Sequence, residues 1–172
     1  EGQLKPWVSA KDIILYILKL ITVKGGRGKV FEYFGSALKS LSVYDRATIC
    51  NLGAEMGATS SLFPSDEVTL EFFKSVGRED DWKELKADVD AQYDEVISVD
   101  ISQLEPLIAL PHSPDNVVKV SEVEGTPLSQ VAIGSCTNSS LKDMAVIAAI
   151  LRDKDISENI DLVITPGTRR VL

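Results

Sequence analysis

Residues 130–140 read Gln130-Val-Ala-Ile-Gly-Ser-Cys136-Thr-Asn-Ser-Ser140, and they join two different hydrophobic patterns. The apolar run from Val131 to Ile133 has the character of a strand, and Gly134 and Ser135 predict a turn after it. Beyond the turn, apolar residues recur every three or four positions, which is typical of a helix. The stretch therefore predicts a strand, a turn that carries Cys136, and a helix.

Cys136 is predicted to lie between the end of a strand and the start of a helix. The next four residues are all types that cap helices: Thr137, Asn138, Ser139 and Ser140. Because a helix N-terminus has unpaired N–H groups and partial positive charge, it favours a thiolate over a thiol. A thiolate here could be a nucleophile, a redox thiol or a metal ligand. The alternative is a small buried cysteine in a tight turn.

A second apolar run, Leu162 to Ile164, follows the helix predicted over residues 139–152. A strand, a helix and a strand in this order form a βαβ unit, which implies a parallel pair and a right-handed crossover. Cys136 then lies at the carboxyl end of its strand, where open α/β sheets bind ligands. The segment Thr165-Pro-Gly-Thr168 ends the second strand near the same edge.

The first half of the chain predicts a helix over residues 9–22, with Ser9 as its N-cap and an apolar stripe facing a core. The segment Lys24-Gly-Gly-Arg-Gly28 matches neither common phosphate-binding spacing, so we interpret it as a turn into a strand over residues 29–34. Further elements are predicted from alternation and capping: a short strand or turn at 59–63, a strand at 95–100, and a helix at 66–75 capped by Ser65.

A helix predicted over residues 42–58 places Asn51 and Glu55 on one face, because they are four residues apart. An amide and a carboxylate on one face can hold a polyhydroxy or carboxylate ligand, or orient a water molecule. A solvated helix face is the alternative. The flanking residues are rich in glycine and alanine, which let a helix approach another backbone closely.

The composition is that of a globular protein, with 172 residues, 44% of them hydrophobic, and a net charge of -8. This charge argues against a phosphate-binding surface, so nucleic acid is not an expected partner. No apolar run reaches the roughly 18 residues of a membrane span. The only histidine, His112, has no second ligand nearby. The two cysteines form no disulfide framework, which favours a reduced, cytoplasmic or organellar compartment.

Two strings resemble the aconitase family. The string Ile133-Gly-Ser-Cys-Thr-Asn-Ser-Ser140 resembles the segment whose cysteine is the first of three ligands to a [4Fe–4S] cluster. The string Ala47-Thr-Ile-Cys-Asn-Leu-Gly-Ala-Glu55 resembles the segment whose asparagine and glutamate face the cluster and substrate. Weaker matches extend the resemblance over residues 7–170. The start without methionine and the end at Leu172 suggest a piece of a longer protein.

The resemblance implies a role for each of these residues. Cys136 would be the metal ligand, and Cys50 would be a packing residue. Four polar residues would line the surroundings of the cluster and substrate: Asn51, Glu55, Thr137 and Asn138. The family's other two ligands come as Cys-x-x-Cys, a motif that this sequence lacks. This piece alone is therefore expected to hold no [4Fe–4S] cluster, and it contains no residue that would act as the catalytic base.

The resemblance also implies an α/β fold with a mixed sheet flanked by helices, of the family's iron–sulfur type with three αβα layers. Residues 1–105 would form the family's second α/β unit, and residues 106–172 would begin the third. With the remaining aconitase domains in cis, the implied reaction is that of a hydro-lyase interconverting citrate and isocitrate through cis-aconitate. We expect Asn51, Glu55 and Cys136 to share one concave edge of the complete protein.

Several alternatives stay open. Related dehydratases act on 3-isopropylmalate or homoaconitate, but Asn138-Ser-Ser140 looks more like aconitase, since isopropylmalate enzymes more often carry Asn-Gly-Arg there. Some relatives are RNA-binding regulators, which the acidic charge disfavours for this segment. A structural domain without a cluster is the third alternative.

Overall fold

The computed structural model describes all 172 residues, from Glu1 to Leu172. The chain forms two compact units, Glu1–Val120 and Ser121–Leu172. Helices and short strands occur in both units, in agreement with the predicted α/β class. No helix is both long enough and apolar enough to cross a membrane.

The first unit contains three α-helices and four strands. They are α1 (Ala10–Ile21), β1 (Val30–Glu32), α2 (Val43–Leu52), β2 (Ser60–Leu62), α3 (Glu67–Ser75), β3 (Leu107–Ala109) and β4 (Val117–Lys119). β1 pairs in parallel with β2, and β3 pairs antiparallel with β4. Parallel and antiparallel pairs are thus both present, but each strand has one neighbour, so they form separate two-stranded sheets rather than one mixed sheet.

The core of the first unit is built around α1. Ser9 is its N-cap, as predicted, and the apolar stripe buries Ile14 and Leu18 completely. These side chains belong to one cluster with Ile49 and Met56. Burying one such side chain stabilises a fold by about 2 kcal/mol, so this cluster is the main source of the unit's stability.

Two carboxylates tie α1 to the β3–β4 hairpin. The side chain of Asp12, near the start of α1, accepts a hydrogen bond from the backbone N–H of Leu107 at 2.6 Å. The side chain of Asp115 accepts one from the backbone N–H of Val23, just beyond the end of α1, at 3.1 Å. The first compact unit therefore includes the hairpin. The predicted division after residue 105 refers to the family's units, and it stays a prediction. The assignment of the units to the family's second and third units stays a prediction.

The strand predicted over residues 95–100 is absent. This segment forms no strand and pairs with none. The side chains of Val96 and Ile97 are both exposed, so the alternation does not separate a buried from a solvated face. A period of two specifies a strand register only where one face is buried, and here only Val99 is partly buried against the core cluster.

Two predicted helices have different boundaries in the structure. The helix predicted over residues 42–58 ends as α2 at Leu52 and continues as the 3₁₀ helix Gly53–Met56. α3 is capped by Asp66, whose carboxylate accepts a hydrogen bond from the backbone N–H of Thr69 at 3.3 Å. Ser65, the predicted cap, instead exchanges backbone hydrogen bonds with Leu85.

The second unit is the predicted βαβ unit. It consists of β5 (Gln130–Ile133), α4 (Leu141–Leu151) and β6 (Asp161–Ile164). β5 and β6 pair in parallel, with Gln130 opposite Asp161 and Ile133 opposite Ile164. The predicted order and the parallel pairing are both observed.

Candidate functional site

Asn51 and Glu55 lie on either side of a change in helix type. Asn51 is in the last turn of α2, and Glu55 is in the 3₁₀ helix that begins at Gly53. Both residues are exposed. Because a 3₁₀ helix has three residues per turn rather than 3.6, Glu55 is rotated away from the direction that a continuous α-helix would give it. Asn51 and Glu55 therefore do not share the single α-helical face that the sequence predicted, because the helix type changes at Gly53.

The other side of this segment is buried. Ile49 and Met56 are 1% and 0% exposed. Between them, Gly53 approaches β2 so closely that a Cβ atom at this position would overlap Ser61 Oγ. This is the close approach that the glycine-rich and alanine-rich flanks predicted, and it holds Asn51 and Glu55 on the solvent side.

Arg46 connects α2 to the N-terminus of α3. Its guanidinium forms a bidentate pair with the Asp66 carboxylate, with both N···O distances at 2.8 Å, and it donates to the carbonyl oxygens of Leu38 and Leu41. Only 4% of Arg46 is exposed, and its burial is tolerated because its charge is matched and its N–H groups are bonded. Burial alone would raise the pKa of the Asp66 carboxyl, but the hydrogen bonds from Arg46 and Thr69 outweigh it, and the pKa is lowered.

Cys50, beside Asn51, makes a contact with β2. Its thiol lies 3.5 Å from the carbonyl oxygen of Ser61, and burial raises the pKa of the thiol. Nearby, the Tyr33 ring stacks on Phe63 with the ring centroids 4.6 Å apart, and burial raises the pKa of Tyr33 to about 12. Because a thiol with a raised pKa stays protonated at neutral pH, Cys50 suits a packing role better than a metal-binding one.

The turn after β5 carries Cys136. Gly134 and Ser135 have φ values of 155° and 68°. The left-handed conformation of Ser135 is uncommon for a residue with a side chain, and such strained positions occur often at functional sites. Cys136 follows directly and is exposed. The turn therefore presents a thiol at the carboxyl end of a parallel strand, as the sequence predicted.

Ser139 closes this turn. Its hydroxyl donates to the carbonyl oxygen of Ser135. Its own carbonyl oxygen accepts a hydrogen bond from the backbone N–H of Gly167 at 3.1 Å. The segment after β6 therefore meets the Cys136 turn at one edge of the sheet, where the sequence analysis expected it.

Ser140 is the N-cap of α4. Its hydroxyl oxygen accepts a hydrogen bond from the backbone N–H of Asp143 at 3.2 Å, and the Asp143 carboxylate accepts one from the backbone N–H of Ser140 at 3.0 Å. This reciprocal arrangement is a capping box. Because the helix begins after Ser140, Thr137 and Asn138 stay in the turn with Cys136, and both are half-buried.

The predicted site residues fall into two groups. Asn51 and Glu55 belong to the first unit, whereas Cys136, Thr137 and Asn138 belong to the second. The structure places the members of each group on one short segment. The convergence of the two groups on one concave edge stays a prediction.

The donor atoms of this chain fit one ligand of an iron–sulfur cluster. A cubane cluster requires a thiolate at each protein-bound iron. Cys136 offers an exposed thiol, and Cys50 is the only other cysteine. No group of three His, Cys, Asp or Glu side chains comes together in the structure, and His112 lies in an exposed turn. The remaining ligands of such a cluster would have to come from another segment.

Arg46 was not among the residues predicted to support the site. A charged residue in a helical pattern is normally solvated, and nothing local indicates that this one is buried. The available signal was the Asp66 carboxylate at the start of the next helix, but a spacing of twenty residues does not show that two side chains meet.

Comparisons with known proteins identify the family. The sequence model of the aconitase family (aconitate hydratase) matches residues 1–127 and 120–172. The chain is 43% identical over 171 residues to a 3-isopropylmalate dehydratase large subunit of Archaeoglobus fulgidus, and 45% identical over 173 residues to one of Thermotoga maritima. Each comparison covers 99% of this chain but 41% of the relative, so the chain spans about two fifths of their length. Because the family match covers both units, this chain belongs to the aconitase family.

Proposed function

We propose that this chain is part of the large subunit of a hydro-lyase that acts on 3-isopropylmalate. The observation that carries the proposal is the identity of 43% and 45%, along 99% of the chain, to proteins of that name. It favours 3-isopropylmalate, which the sequence left open as an alternative substrate, over citrate and isocitrate.

The preference for citrate came from Asn138-Ser-Ser140. In the structure, Ser139 closes the Cys136 turn and Ser140 caps α4. Both serines therefore have local structural roles that are independent of the substrate. For this reason we give the string less weight than the similarity of the whole chain.

In the complete protein, Cys136 would be one thiolate ligand of a [4Fe–4S] cluster. When bound, such a cluster supplies an open iron that acts as a Lewis acid. The exposed position of Cys136 leaves its thiol accessible to the cluster. Thr137 and Asn138 would add a hydroxyl and an amide beside it.

Asn51 and Glu55 would bind and orient the substrate. An amide both donates and accepts hydrogen bonds, whereas an ionised carboxylate only accepts them. A hydroxy dicarboxylate has a hydroxyl that donates and carboxylates that accept, so Glu55 suits the hydroxyl and Asn51 suits either group. The base that removes the proton would come from outside this chain.

The relatives are named as large subunits, which implies a second, smaller chain. We propose the same partner here, together with the rest of the family's chain in cis. The complete chain would then have the three αβα layers that the resemblance implies.

The test uses the complete protein, expressed with its smaller partner and reconstituted anaerobically with iron and sulfide. We expect dehydration of 3-isopropylmalate with a kcat/KM well above that for citrate. A higher kcat/KM for citrate would contradict the proposed substrate. A protein with a fully loaded cluster that is inactive on both 3-isopropylmalate and citrate would contradict the proposed hydro-lyase activity.

Two matched pairs of variants test the residues. Cys136→Ser is expected to abolish the visible absorbance of the cluster, whereas Cys50→Ser is expected to keep it.

Glu55→Gln is expected to lower kcat/KM by about 100-fold, since a preorganised charged contact to the substrate is lost. Glu71→Gln, an exposed substitution on α3, is the control and should not change it. The 172-residue chain alone is expected to bind no cluster.

A further inference from the structure

The loop between α1 and β1 contacts the segment that follows Glu55. The backbone N–H of Gly26 donates to the carbonyl oxygen of Met56 at 2.9 Å. Arg27, which follows Gly26, and Ala58, two residues beyond Met56, form an isolated antiparallel bridge. The loop that the sequence analysis interpreted as a plain turn therefore holds the end of the 3₁₀ helix.

The contact leaves no room for a side chain at Gly26. A Cβ atom there would lie 2.7 Å from the carbonyl oxygen of Met56, 2.9 Å from the backbone nitrogen of Ala58 and 3.1 Å from its Cα. All three atoms are backbone, so no rotation of a side chain can relieve the overlap. The φ of Gly26 is not positive, so its conformation suits other residues. Only the closeness of Met56 and Ala58 requires glycine here.

A shift of Met56 would move Glu55. The two residues are adjacent in one 3₁₀ helix, and the Met56 side chain is completely buried, so the backbone there cannot shift without moving its neighbour. Asn51, in contrast, lies in α2, which the buried Arg46 holds separately. The contact at Gly26 therefore acts on Glu55 more directly than on Asn51.

We propose that Gly26 is a positioning residue that sets the place of the Glu55 carboxylate relative to the Asn51 amide. The proposal rests on the proposed function, in which these two groups orient the substrate. Gly26 acts through the backbone of residues 56–58 and need not touch the substrate.

Gly26→Ala in the complete enzyme with its smaller partner is the test, and Gly28→Ala is the matched control. Gly28 lies in the same loop with a φ of 71°, so alanine strains the loop, but a Cβ there meets no atom within 4 Å. We expect Gly26→Ala to lower kcat per loaded cluster by about 100-fold, as misplacements of about 1 Å do. Gly28→Ala should lower the melting temperature and keep kcat within about twofold of the parent enzyme.

A kcat per cluster of Gly26→Ala equal to that of Gly28→Ala would overturn the proposal. If Gly26→Ala does not fold, Gly57→Ala decides, since a Cβ there lies 3.3 Å from both Arg27 Cγ and the carbonyl oxygen of Val23 and presses on the same junction. A lower kcat would support the proposal, and an unchanged kcat would overturn it.

Amide hydrogen exchange of residues 55–58 is a readout independent of catalysis. We expect faster exchange there in Gly26→Ala than in Gly28→Ala, because displacing Met56 and Ala58 weakens the hydrogen bonds that the N–H groups of Gly57 and Ala58 donate to the carbonyl oxygens of Ala54 and Gly53. If the complete protein proves inactive on every hydroxy acid, the proposed function fails, and this exchange measurement alone decides about Gly26. Equal exchange in the two variants would overturn its positioning role.

Discussion

The two units contain the same kinds of local structure but differ in what they bury. All of the buried hydrophobic residues lie in the first unit, where α1 is the centre of one cluster. The second unit has a capped helix and a parallel pair of strands, yet none of its residues is buried. Capping and periodicity therefore suffice to form an element, but they do not create a core.

The sequence of α4 is unusual for an exposed helix. Apolar residues occur around the whole helix, and Leu141 and Val146 are 55% and 49% exposed. A helix that is hydrophobic on all sides is normally buried, and parallel strands are normally covered on both faces. We infer that the second unit forms its elements locally and depends on contacts outside residues 121–172 for its stability.

The largest expected effect comes from separating the units. Residues 1–120 alone should unfold cooperatively in urea, because they retain the whole buried cluster. Residues 121–172 alone should show no cooperative transition, because two strands and one helix without buried side chains do not offset the entropy of folding. Circular dichroism across a urea titration checks both pieces. A sharp transition in residues 121–172 would show that the second unit is stable without further contacts.

Breaking the buried ion pair should be the next largest effect. Arg46→Met leaves Asp66 without its partner and should destabilise the first unit by about 3 kcal/mol. Lys74→Met removes an exposed pair with Glu71 and should leave the urea midpoint unchanged. Equal midpoints for the two variants would show that Arg46 does not anchor α2.

Equivalent truncations in the two units should have unequal costs. Ile14→Ala removes a completely buried side chain from α1 and should cost about 3 kcal/mol. Val146→Ala, on the exposed part of α4, should stay within about 0.5 kcal/mol. Urea unfolding of the 172-residue chain measures both. A cost for Val146→Ala close to that for Ile14→Ala would mean that α4 is covered in solution.

The smallest effect is a loss of stability of the first unit in acid. The pKa of Asp115 is lowered by hydrogen bonds from Ser113 and Val23, and the pKa of Asp66 is lowered because hydrogen bonds from Arg46 and Thr69 outweigh its burial. A lowered folded pKa stabilises the fold above the unfolded value of about 3.9, and this contribution is lost as pH falls through the folded pKa.

Urea midpoints measured between about pH 6 and pH 3 should therefore fall with pH. Asp115→Asn should flatten this dependence, since one of the carboxylates no longer titrates. An unchanged pH dependence in Asp115→Asn would show that the carboxylate makes no such contribution.

Local information in the sequence predicted the elements that depend on neighbours along the chain. The strand, helix and strand around Cys136 and the first helix with its Ser9 cap are all observed. Two strings, around Cys136 and around Asn51, were sufficient to identify the family. Periodicity, capping groups and short motifs involve residues within a few positions of each other, so they can be read without knowing the fold.

The α/β class, the βαβ unit with Cys136 at its strand end, and the family could therefore be predicted from the sequence. Four features required the folded chain: the change of helix type at Gly53, the absence of the strand at 95–100, the burial of Arg46 and the need for glycine at Gly26. Each depends on an atom distant along the chain, such as Ser61 Oγ for Gly53 or the Asp66 carboxylate for Arg46. Burial and close approach are properties of the segments that meet, and a local pattern contains no information on which segments those are.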